Sequence, residues 1–423
     1  MTFALYTDRY ELTMLQAALR SGKAQRQTVF EVFARHLPPG RRFGVVAGTG
    51  RVLEAITQFK FGEAELDYLR TAEIVDDPTL DYLADYRFQG QIEGYREGEL
   101  YFADSPVLSV TGSFADSVIL ETLILSILNY DSAIASAAAR MHAAAGERVL
   151  VEMGARRAHE EAAVAAARAA YIAGFSATSD LEAGRKWGVP TMGTSAHSFT
   201  LLHDSEKEAF TAQIESQGER TTLLVDTYDI SAAVALAVEI TGGKVAAVRI
   251  DSGDLGQVAI AVRKQLDELG AKDTKIVVTS DLDEYTIAAL AAAPVDRYGV
   301  GTSLVTGSGH PTAGFVYKLV AHSDGGEWAD VAKKSRDKAS RGGKKQAARE
   351  LEGGIAIAEQ VGAQPAGRVL QTLLWDGNQP IETHLGKSGV ETAREHHREA
   401  ISELPATALR LSKGEPAIPT LFV

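Results

Sequence analysis

The chain has 423 residues, of which 45% are hydrophobic, and it is long enough for two or three domains with ample cores. Its formal net charge of −13 argues against general binding to nucleic acid or to an anionic membrane, although it leaves room for a local basic pocket. Because the sequence contains no cysteine, disulfides, thiolate zinc sites and thiol nucleophiles are excluded.

Neither a targeting signal nor a membrane span is predicted. Residues 1–10 carry Asp8 and Arg9 early and lack the basic and apolar segments of a secretory signal. The longest apolar stretch, Val118–Leu128, is interrupted by Glu121 and is too short to span a bilayer. We therefore expect a cytoplasmic protein that binds neither membrane nor nucleic acid.

Helices are predicted in the first part of the chain. Asp8 followed by Glu11 is typical of a capping-box helix start, in which case Tyr10 could simply pack against the core. The alanine-rich run 132–145 has apolar residues at helical spacing and predicts a packed helix.

From about residue 148 to residue 304, short β-prone runs alternate with helical runs. The predicted strands are 148–153, 189–193, 221–225, 244–250, 274–279 and 297–300, and the predicted helices are 157–171, 206–217, 230–240, 255–269 and 284–292. Apolar strands without polar alternation indicate a parallel sheet, and strand–helix units in series indicate βαβ crossovers. The number of units favours an α/β barrel, with a doubly wound open sheet as the alternative.

Charged or hydroxyl-bearing residues follow the end of every predicted strand. They are Arg156 and Arg157, His197, Asp226 and Asp229, Asp251 and Asp254, Asp281, and Thr302 and Ser303. In a barrel, the carboxyl ends of all strands lie on one rim, which is where active sites are found. Any one of these residues could instead cap the next helix, and for Asp229 or Asp254 taken singly capping is the preferred interpretation.

Three aspartates on this predicted rim indicate a cation. Asp226, Asp251 and Asp281 would repel one another unless a positive ion lay among them, and hard oxygen ligands suit Mg²⁺ shared with substrate phosphates. The rim therefore predicts a substrate that carries several negative charges.

Glycine-rich turns and arginines on the same rim indicate phosphate binding. The stretches 252–254, 299–302 and 307–309 could offer backbone N–H groups to a phosphate. Arg156, Arg157 and Arg249 supply positive charge in a form that matches phosphates and carboxylates.

His197 lies in the segment GTSAHS, where small neighbours leave its imidazole accessible. A single histidine is more often structural, but here it joins a rim of aspartates and phosphate-binding turns. The residues together predict a Mg²⁺-dependent enzyme that acts on a phosphoryl or pyrophosphoryl substrate and has one reactive histidine.

The chain resembles the nicotinate phosphoribosyltransferase family through motifs that run along most of its length. In order, they are YTDRYELTM (6–14), FARHLPPGRRFGVVAGTG (33–50), EMGARRA (152–158), GTSAHS (193–198), LVDTYDI (224–230), VRIDSGDL (248–255), VTSD (278–281), GVGTSL (299–304) and a lysine-rich segment (332–349). Each motif alone is weak, but their common order is specific.

The resemblance implies a fold and a reaction. The fold is that of the type II phosphoribosyltransferases, with an irregular α/β barrel at 119–309 beside an α/β sandwich domain formed from residues 1–118 and 310–423. The reaction joins nicotinate to phosphoribosyl pyrophosphate, giving nicotinate mononucleotide and pyrophosphate, with ATP as a co-substrate. The family further implies a homodimer whose active sites are shared between subunits.

The resemblance also implies roles for individual residues. His197 would be transiently phosphorylated by ATP, and Asp226, Asp251 and Asp281 would line the ribose, pyrophosphate and Mg²⁺ site, with Asp251 and Asp281 as metal ligands. The expected substrate-binding residues are Tyr10 from the neighbouring subunit, Thr194 and Arg249 at nicotinate, Met153 at the ring face, Thr302 at the 5′-phosphate, and Arg156 and Gly301. Met153 departs from the aromatic residue that several relatives of the superfamily carry there, although a methionine can also cover a ring.

Two alternatives to nicotinate transfer remain from the sequence. One is a nicotinamide or quinolinate phosphoribosyltransferase, and the other is a non-catalytic barrel that senses a sugar phosphate. The spacing of GTSAHS favours nicotinate, and a sensor needs no phosphorylatable histidine. The run 333–345, with seven basic residues in thirteen, is interpreted as a solvated loop, with a role near ATP phosphates as the alternative.

Overall fold

The computed structural model describes residues 2–218, 220–333 and 340–423. The chain forms two compact units, of which unit 1 comprises residues 1–136 and 310–423 and unit 2 comprises residues 137–309. The domain boundaries predicted from the sequence are 118/119 and 309/310, whereas the units divide at 136/137 and 309/310. The first division therefore falls inside a helix rather than before it.

The helices and strands are numbered in chain order. The helices are α1 (Arg9–Arg20), α2 (Thr49–Thr57), α3 (Glu63–Thr71), α4 (Asp77–Ala84), α5 (Phe114–Val118), α6 (Glu121–Ala145), α7 (Glu160–Ile172), α8 (Leu181–Trp187), α9 (His197–Leu202), α10 (Glu206–Gln217), α11 (Ile230–Thr241), α12 (Leu255–Glu268), α13 (Glu284–Ala289), α14 (Thr302–Val305) and α15 (Gly386–Ser402). The strands are β1 (Gln27–Ala34), β2 (Gly44–Val45), β3 (Gly90–Tyr95), β4 (Leu100–Tyr101), β5 (Leu108–Ser113), β6 (Val149–Glu152), β7 (Ala177–Thr178), β8 (Thr222–Leu224), β9 (Ala247–Ile250), β10 (Lys275–Val278), β11 (Arg297–Val300), β12 (Phe315–Ser323), β13 (Ala329–Asp330), β14 (Gln346–Glu352), β15 (Ile355–Gly362), β16 (Arg368–Val369), β17 (Gln371–Gly377), β18 (Gln379–Pro380) and β19 (Thr420–Phe422).

Unit 1 is built on an antiparallel sheet to which both ends of the chain contribute. Its strand order is β13-β12-β1-β5-β3-β17-β18, so three strands from the N-terminal part form its centre and strands from the C-terminal part flank them on both sides. The β-branched and aromatic residues of β1 favour a strand, and this strand is buried along almost its whole length because β12 and β5 flank it. Phe30 and Tyr317, from the two parts of the chain, stack with ring centroids 4.7 Å apart. The predicted sandwich domain formed from both chain ends is therefore confirmed.

A buried ionic cluster joins the smaller sheet of unit 1, β16-β14-β15-β19, to this core. Arg349 and Glu359 are both fully buried and lie 2.7 Å apart, and the guanidinium of Arg368 bonds Glu99. Burial alone would raise the pKa of Glu99. Hydrogen bonds from His396 and Arg368, with the nearby arginine charges, instead hold it well below its ordinary value of 4.5.

Unit 2 is built on a parallel sheet of six strands in the order β7-β6-β11-β10-β9-β8. Within the described residues, each strand pairs with its successor in the chain except at the step from β7 to β8, and the last strand, β11, pairs with the first, β6. Pairing of last with first curls a sheet into a barrel. The predicted irregular α/β barrel is confirmed, and the doubly wound alternative is wrong.

The predicted elements of unit 2 are found with each end within three residues of the prediction, with one exception. The predicted strand 189–193 forms only an isolated parallel bridge from Thr191 to Thr178, and the strand at this place in the sheet is the two-residue β7, which was not predicted. Asp229 and Asp254 cap α11 and α12 by accepting from backbone N–H groups, so the capping interpretation is confirmed for both.

Two segments require a revised interpretation. The helical run 114–145 is long and apolar enough, by length and composition, to cross a membrane, although the stretch Val118–Leu128 alone is too short. Most of the run is buried within the protein, as in the core helix of a globular fold.

In the basic segment 333–345, residues 334–339 lie outside the described residues. Lys345, however, pairs with the buried Glu31 at 2.8 Å and is not a freely solvated side chain.

Candidate active site

The candidate site lies at the carboxyl ends of the parallel strands of unit 2, where the strands leave the barrel. The side chains that follow β8, β9 and β10 meet there with the loop 193–197, which precedes α9. Five of the predicted residues form one connected network, namely Thr194, His197, Asp226, Arg249 and Asp251.

Arg249 lies in β9 and ties three segments of the rim together. Its Nε donates to Thr279 at 3.0 Å, and its Nη2 donates to Asp251 at 3.1 Å. Its Nη1 donates to the hydroxyl of Thr194 at 2.9 Å and to the carbonyl of Ser195 at 3.2 Å. The guanidinium is almost fully buried. Because the planar fork is fixed by bonds in several directions, it is held ready for a planar anion such as a carboxylate.

Asp251 and Asp226 are joined through the backbone of the loop after β9. Asp251 accepts from Thr279 and from Arg249, whereas its N–H donates to Oδ2 of Asp226 at 3.0 Å. The hydroxyl of Ser252 donates to the same Oδ2 at 2.6 Å. Among the described residues, Oδ1 of Asp226 has no hydrogen-bond partner, although the side chain is only 1% exposed.

His197 is the first residue of α9 and faces this unused oxygen. Its Nε2 lies 3.9 Å from Oδ1 of Asp226 and 4.0 Å from Oδ2 of Asp251. Its Nδ1 lies 3.1 Å from the hydroxyl of Thr227. The contact at Nδ1 orients the ring, whereas Nε2 lies beyond hydrogen-bond distance of both carboxylates, and the side chain is 42% exposed and reachable from solvent. An accessible imidazole between a hydroxyl and two carboxylates suits the predicted reactive histidine.

Met153 and Gly299 lie side by side at the ends of β6 and β11. A Cβ at Gly299 would come within 2.6 Å of the Met153 sulfur and of Thr279 Cγ2, so only glycine fits there without a shift. A Cβ at Gly301 would lie 3.4 Å from the Met153 carbonyl oxygen. Beneath Met153, burial raises the pKa of Glu152, which accepts from Thr178 and the Gly154 N–H.

Arg156, Asp281 and Thr302 lie on the same rim but outside the network. All three are exposed, in the turn after β6, the loop after β10 and the start of α14, respectively. In the described parts of the chain, no three aspartate, glutamate or histidine side chains are arranged to hold a metal ion. The carboxylates at hand fit Mg²⁺ only if substrate phosphates complete its ligands, which is how this ion is usually bound.

Two N–H groups of the turn 307–309, those of Gly307 and Ser308, are used within the protein. Gly307 N–H donates to the carbonyl of Leu304 at 2.9 Å, and Ser308 N–H donates to that of Ser303 at 2.7 Å. The expectation that this turn offers these groups to a phosphate is therefore wrong.

Tyr10 belongs to unit 1, in the first turn of α1. Asp8 precedes the helix as predicted but makes no side-chain cap. The buried Glu11 side chain accepts from Thr7 and Thr122 rather than from the Asp8 N–H, as a capping box would require. The ring of Tyr10 is 43% exposed, which is more than a simple core residue requires. Burial of its hydroxyl, with the charge of Glu121, raises the pKa of Tyr10.

Three network residues were not singled out from the sequence, namely Thr227, Ser252 and Thr279. Each one lies within three residues of the end of a strand, directly beside a predicted site residue or on the adjacent strand. Their hydroxyls bond the charged groups of the network. The available signal was a hydroxyl at a strand end, which occurs too often to be decisive.

Comparison with known proteins is consistent with this site. A model described as the nicotinate phosphoribosyltransferase (NAPRTase) N-terminal domain matches residues 5–129, and that of the nicotinate phosphoribosyltransferase (NAPRTase) family matches residues 149–365. Nicotinate phosphoribosyltransferase pncB1 of Mycobacterium tuberculosis (strain CDC 1551 / Oshkosh) is 55% identical over 98% of this chain and 94% of its own. The nicotinate phosphoribosyltransferase of Bacillus subtilis is 38% identical over 78% of this chain and 69% of its own.

Solved structures give the same result. Human nicotinic acid phosphoribosyltransferase has a TM-score of 0.83 and 25% identity, covering 99% of this chain and 97% of its own. A nicotinate-nucleotide pyrophosphorylase from Pyrococcus furiosus shares the fold, with a TM-score of 0.76, 24% identity and 94% of each chain covered.

Proposed function

Since this chain belongs to the nicotinate phosphoribosyltransferase family, it is an enzyme of NAD biosynthesis from nicotinate, and we propose that it couples the transfer to hydrolysis of ATP. The full reaction converts nicotinate, phosphoribosyl pyrophosphate, ATP and water to nicotinate mononucleotide, pyrophosphate, ADP and phosphate. The observation that carries the ATP coupling is the half-exposed His197, whose Nε2 faces the buried, unused oxygen of Asp226.

Nicotinate binds through its carboxylate at Arg249, beside Thr194. The guanidinium is already oriented by Asp251 and Thr279, so little side-chain freedom is lost when the ligand arrives. Met153 covers one face of the pyridine ring, and Tyr10 from the neighbouring subunit covers the other. The attraction between the Arg249 guanidinium and the nicotinate carboxylate distinguishes nicotinate from neutral nicotinamide.

Transfer proceeds by attack of the pyridine nitrogen on the anomeric carbon as pyrophosphate leaves. The sugar develops cationic character, which the carboxylates of Asp226 and Asp251 stabilise. Thr302 and Gly301 hold the 5′-phosphate. Arg156, on the same rim, supplies positive charge for the substrate phosphates. Asp251 and Asp281, together with the substrate phosphates, would hold Mg²⁺, which would supply positive charge against the leaving pyrophosphate.

Phosphorylation of His197 takes place on Nδ1. Two carboxylates lie about 4 Å from Nε2, and they stabilise a proton there and the imidazolium that forms during phosphoryl transfer. Nδ1 faces only the neutral hydroxyl of Thr227, which frees the nitrogen by rotating. The incoming phosphoryl group therefore avoids the carboxylates.

The phosphoryl group couples ATP to binding through charge. A phosphohistidine adds roughly two negative charges. Carried on Nδ1 of a ring whose Nε2 faces Asp226 and Asp251, this charge alters the network that ties the loop 193–197 to Arg249, and with it the affinity for both substrates.

The test compares two histidines of the same segment. His197→Ala should keep the fold but lose the acid-labile phosphate and the stoichiometric link between ADP and nicotinate mononucleotide. His203→Ala is the matched control, since the His203 ring follows α9, bonds the Phe199 carbonyl within its own segment and should leave coupling intact when removed. Substrate-stimulated, stoichiometric ATP turnover in His197→Ala would refute the assignment.

The enzyme acts in the cytoplasm as a homodimer with shared sites. If Tyr10 and His197 of one active site come from different subunits, mixing Tyr10→Ala and His197→Ala dimers that each lack ATP-coupled transfer should restore about a quarter of the coupled activity. Half of the dimers are then mixed, and each mixed dimer has one intact site. Failure to regain activity after confirmed subunit exchange would refute the shared site.

A further inference from the structure

The turn that follows α14 has an uncommon backbone. Gly307, Ser308 and Gly309 have φ values of 62°, 52° and 83°, all in the left-handed region. Glycine adopts this region freely, whereas serine does so at a cost and therefore needs an interaction that holds it there. The turn lies only a few residues beyond Gly301 and Thr302.

A buried ion pair holds Ser308 in place. Its hydroxyl donates to Oε2 of Glu284 at 2.8 Å, while Oε1 of Glu284 accepts from Arg140 Nε at 3.1 Å. The side chains of Glu284 and Arg140 are only 4% and 7% exposed, so these bonds are little weakened by solvent. The guanidinium of Arg140 also donates to the hydroxyl of Tyr285 at 3.3 Å.

Glu284 is attached to a second loop of the rim through its own backbone. It is the first residue of α13, whose N-terminus is capped by Asp283. Asp281 lies just before this cap, and the neighbouring Ser280 has a φ of 106°, another left-handed position occupied by a residue other than glycine. One carboxylate therefore fixes the loop that carries Asp281 to the turn beyond Thr302.

We propose that Glu284, neutralised by Arg140, is a positioning residue that sets the affinity for the phosphorylated sugar substrate. It aligns the loop 280–283 with the segment 301–309, and the inference rests on the proposed function, which places phosphoribosyl pyrophosphate against Asp281 and Thr302. Without the tether, the two loops sample other conformations, and binding has to order them again. Glu284 itself does not touch the substrate.

Substitutions of Ser308 separate this role from stability. Ser308→Gly removes the hydroxyl but relieves the left-handed backbone of the serine, which offsets part of the lost bond, so the melting temperature should fall less than in Glu284→Gln. Ser308→Asn restores an N–H donor in a residue type that tolerates this backbone. We expect the glycine variant to raise KM for phosphoribosyl pyrophosphate about tenfold, the worth of one hydrogen bond to a charged group, with kcat and KM for nicotinate changed less than about twofold. The asparagine variant should stay near wild type.

Thr274→Val is the matched control in the same unit. Thr274 is also buried and donates to the Val245 carbonyl at 2.8 Å, but it precedes β10, at the end of the strands away from the rim. It should lower the melting temperature without changing KM. Glu284→Gln should reproduce the KM effect of Ser308→Gly and also lower stability, because it leaves the Arg140 charge buried without its partner carboxylate.

The outcomes separate the two proposals. If the wild-type enzyme neither binds phosphoribosyl pyrophosphate nor forms nicotinate mononucleotide, the proposed function fails, and this inference fails with it. If the wild type is active and Ser308→Gly leaves KM for phosphoribosyl pyrophosphate unchanged, only the positioning role is overturned. An asparagine variant as impaired as the glycine variant would also overturn it.

Discussion

Replacing Asp226 by asparagine tests the electrostatic basis of histidine phosphorylation. Asparagine keeps the size of the side chain and an oxygen that can accept from the Asp251 N–H, so the loop after β9 is preserved. What it removes is the negative charge 3.9 Å from His197 Nε2. The imidazolium that forms as Nδ1 attacks the γ-phosphorus of ATP is then less stabilised.

The expected loss follows from the distance and the exposure. Two unit charges at 3.9 Å attract by about 4 kcal/mol at an effective dielectric constant of about 20, and by about 1 kcal/mol in bulk water. The imidazole is 42% exposed whereas the carboxylate is buried, so we place the loss between these limits, at about 2 kcal/mol. Formation of the phosphoenzyme should therefore slow about thirtyfold.

Rapid-quench measurement of acid-labile phosphate from labelled ATP gives this rate directly. The matched control is Ser252→Ala, which removes a hydroxyl bonded to Oδ2 of Asp226 but leaves the charge. We expect the control to stay within about threefold of wild type, since only one hydrogen bond is lost. Equal rates in Asp226→Asn and Ser252→Ala would show that the carboxylate charge does not assist His197.

Three further substitutions test the site and the fold. Gly299→Ala should lower the melting temperature and raise KM for nicotinate, because the new methyl group displaces Met153; overpacking of this kind costs about 1–3 kcal/mol. Arg249→Lys should raise KM for nicotinate about tenfold or more, since an ammonium cannot bond Thr194 and also present a planar fork to a carboxylate. Glu99→Gln should lower the free energy of unfolding at neutral pH. That free energy should then fall less steeply than in the wild type as the pH is lowered. The lowered folded-state pKa of Glu99 stabilises the fold above pH 4.5, and that contribution is lost as the pH falls below 4.5, so thermal melts across this range check it.

The barrel could be predicted because its strands are apolar on both faces and its helices repeat between them. The prediction fails at 189–193, where an apolar run before a proline-containing turn looks like a strand. There, the chain adds one parallel bridge to Thr178 and then turns toward His197. Which of two short segments joins the sheet depends on contacts distant in sequence, and local propensity does not contain that information.

The sequence predicts which strand ends carry charged residues. It does not predict which of these residues are hydrogen-bonded to one another. Asp226, Asp251 and Arg249 meet because parallel strands bring their carboxyl ends together. Asp281 follows an equally regular strand, yet the left-handed residue before it turns the loop outward and leaves it exposed. Thr227 contacts His197 because of where α9 starts relative to β8. The spacing of apolar residues in the sequence does not encode that position.

The charged groups of the network differ in how far their hydrogen-bonding capacity is used without substrate. This difference indicates what the site binds. Arg249 donates in four bonds to its surroundings, which fix its position, but of these four acceptors Asp251 alone is charged, so its positive charge can still attract the carboxylate of the proposed substrate. Asp226 is buried, and within the described chain its Oδ1 accepts no hydrogen bond. A buried acceptor left unpaired costs stability, so its retention calls for a partner that is present only during function. An imidazolium at His197 and a cationic ribosyl group are both such partners. Asp226 can therefore serve phosphorylation and sugar transfer in turn, because each supplies the positive charge that the resting network lacks.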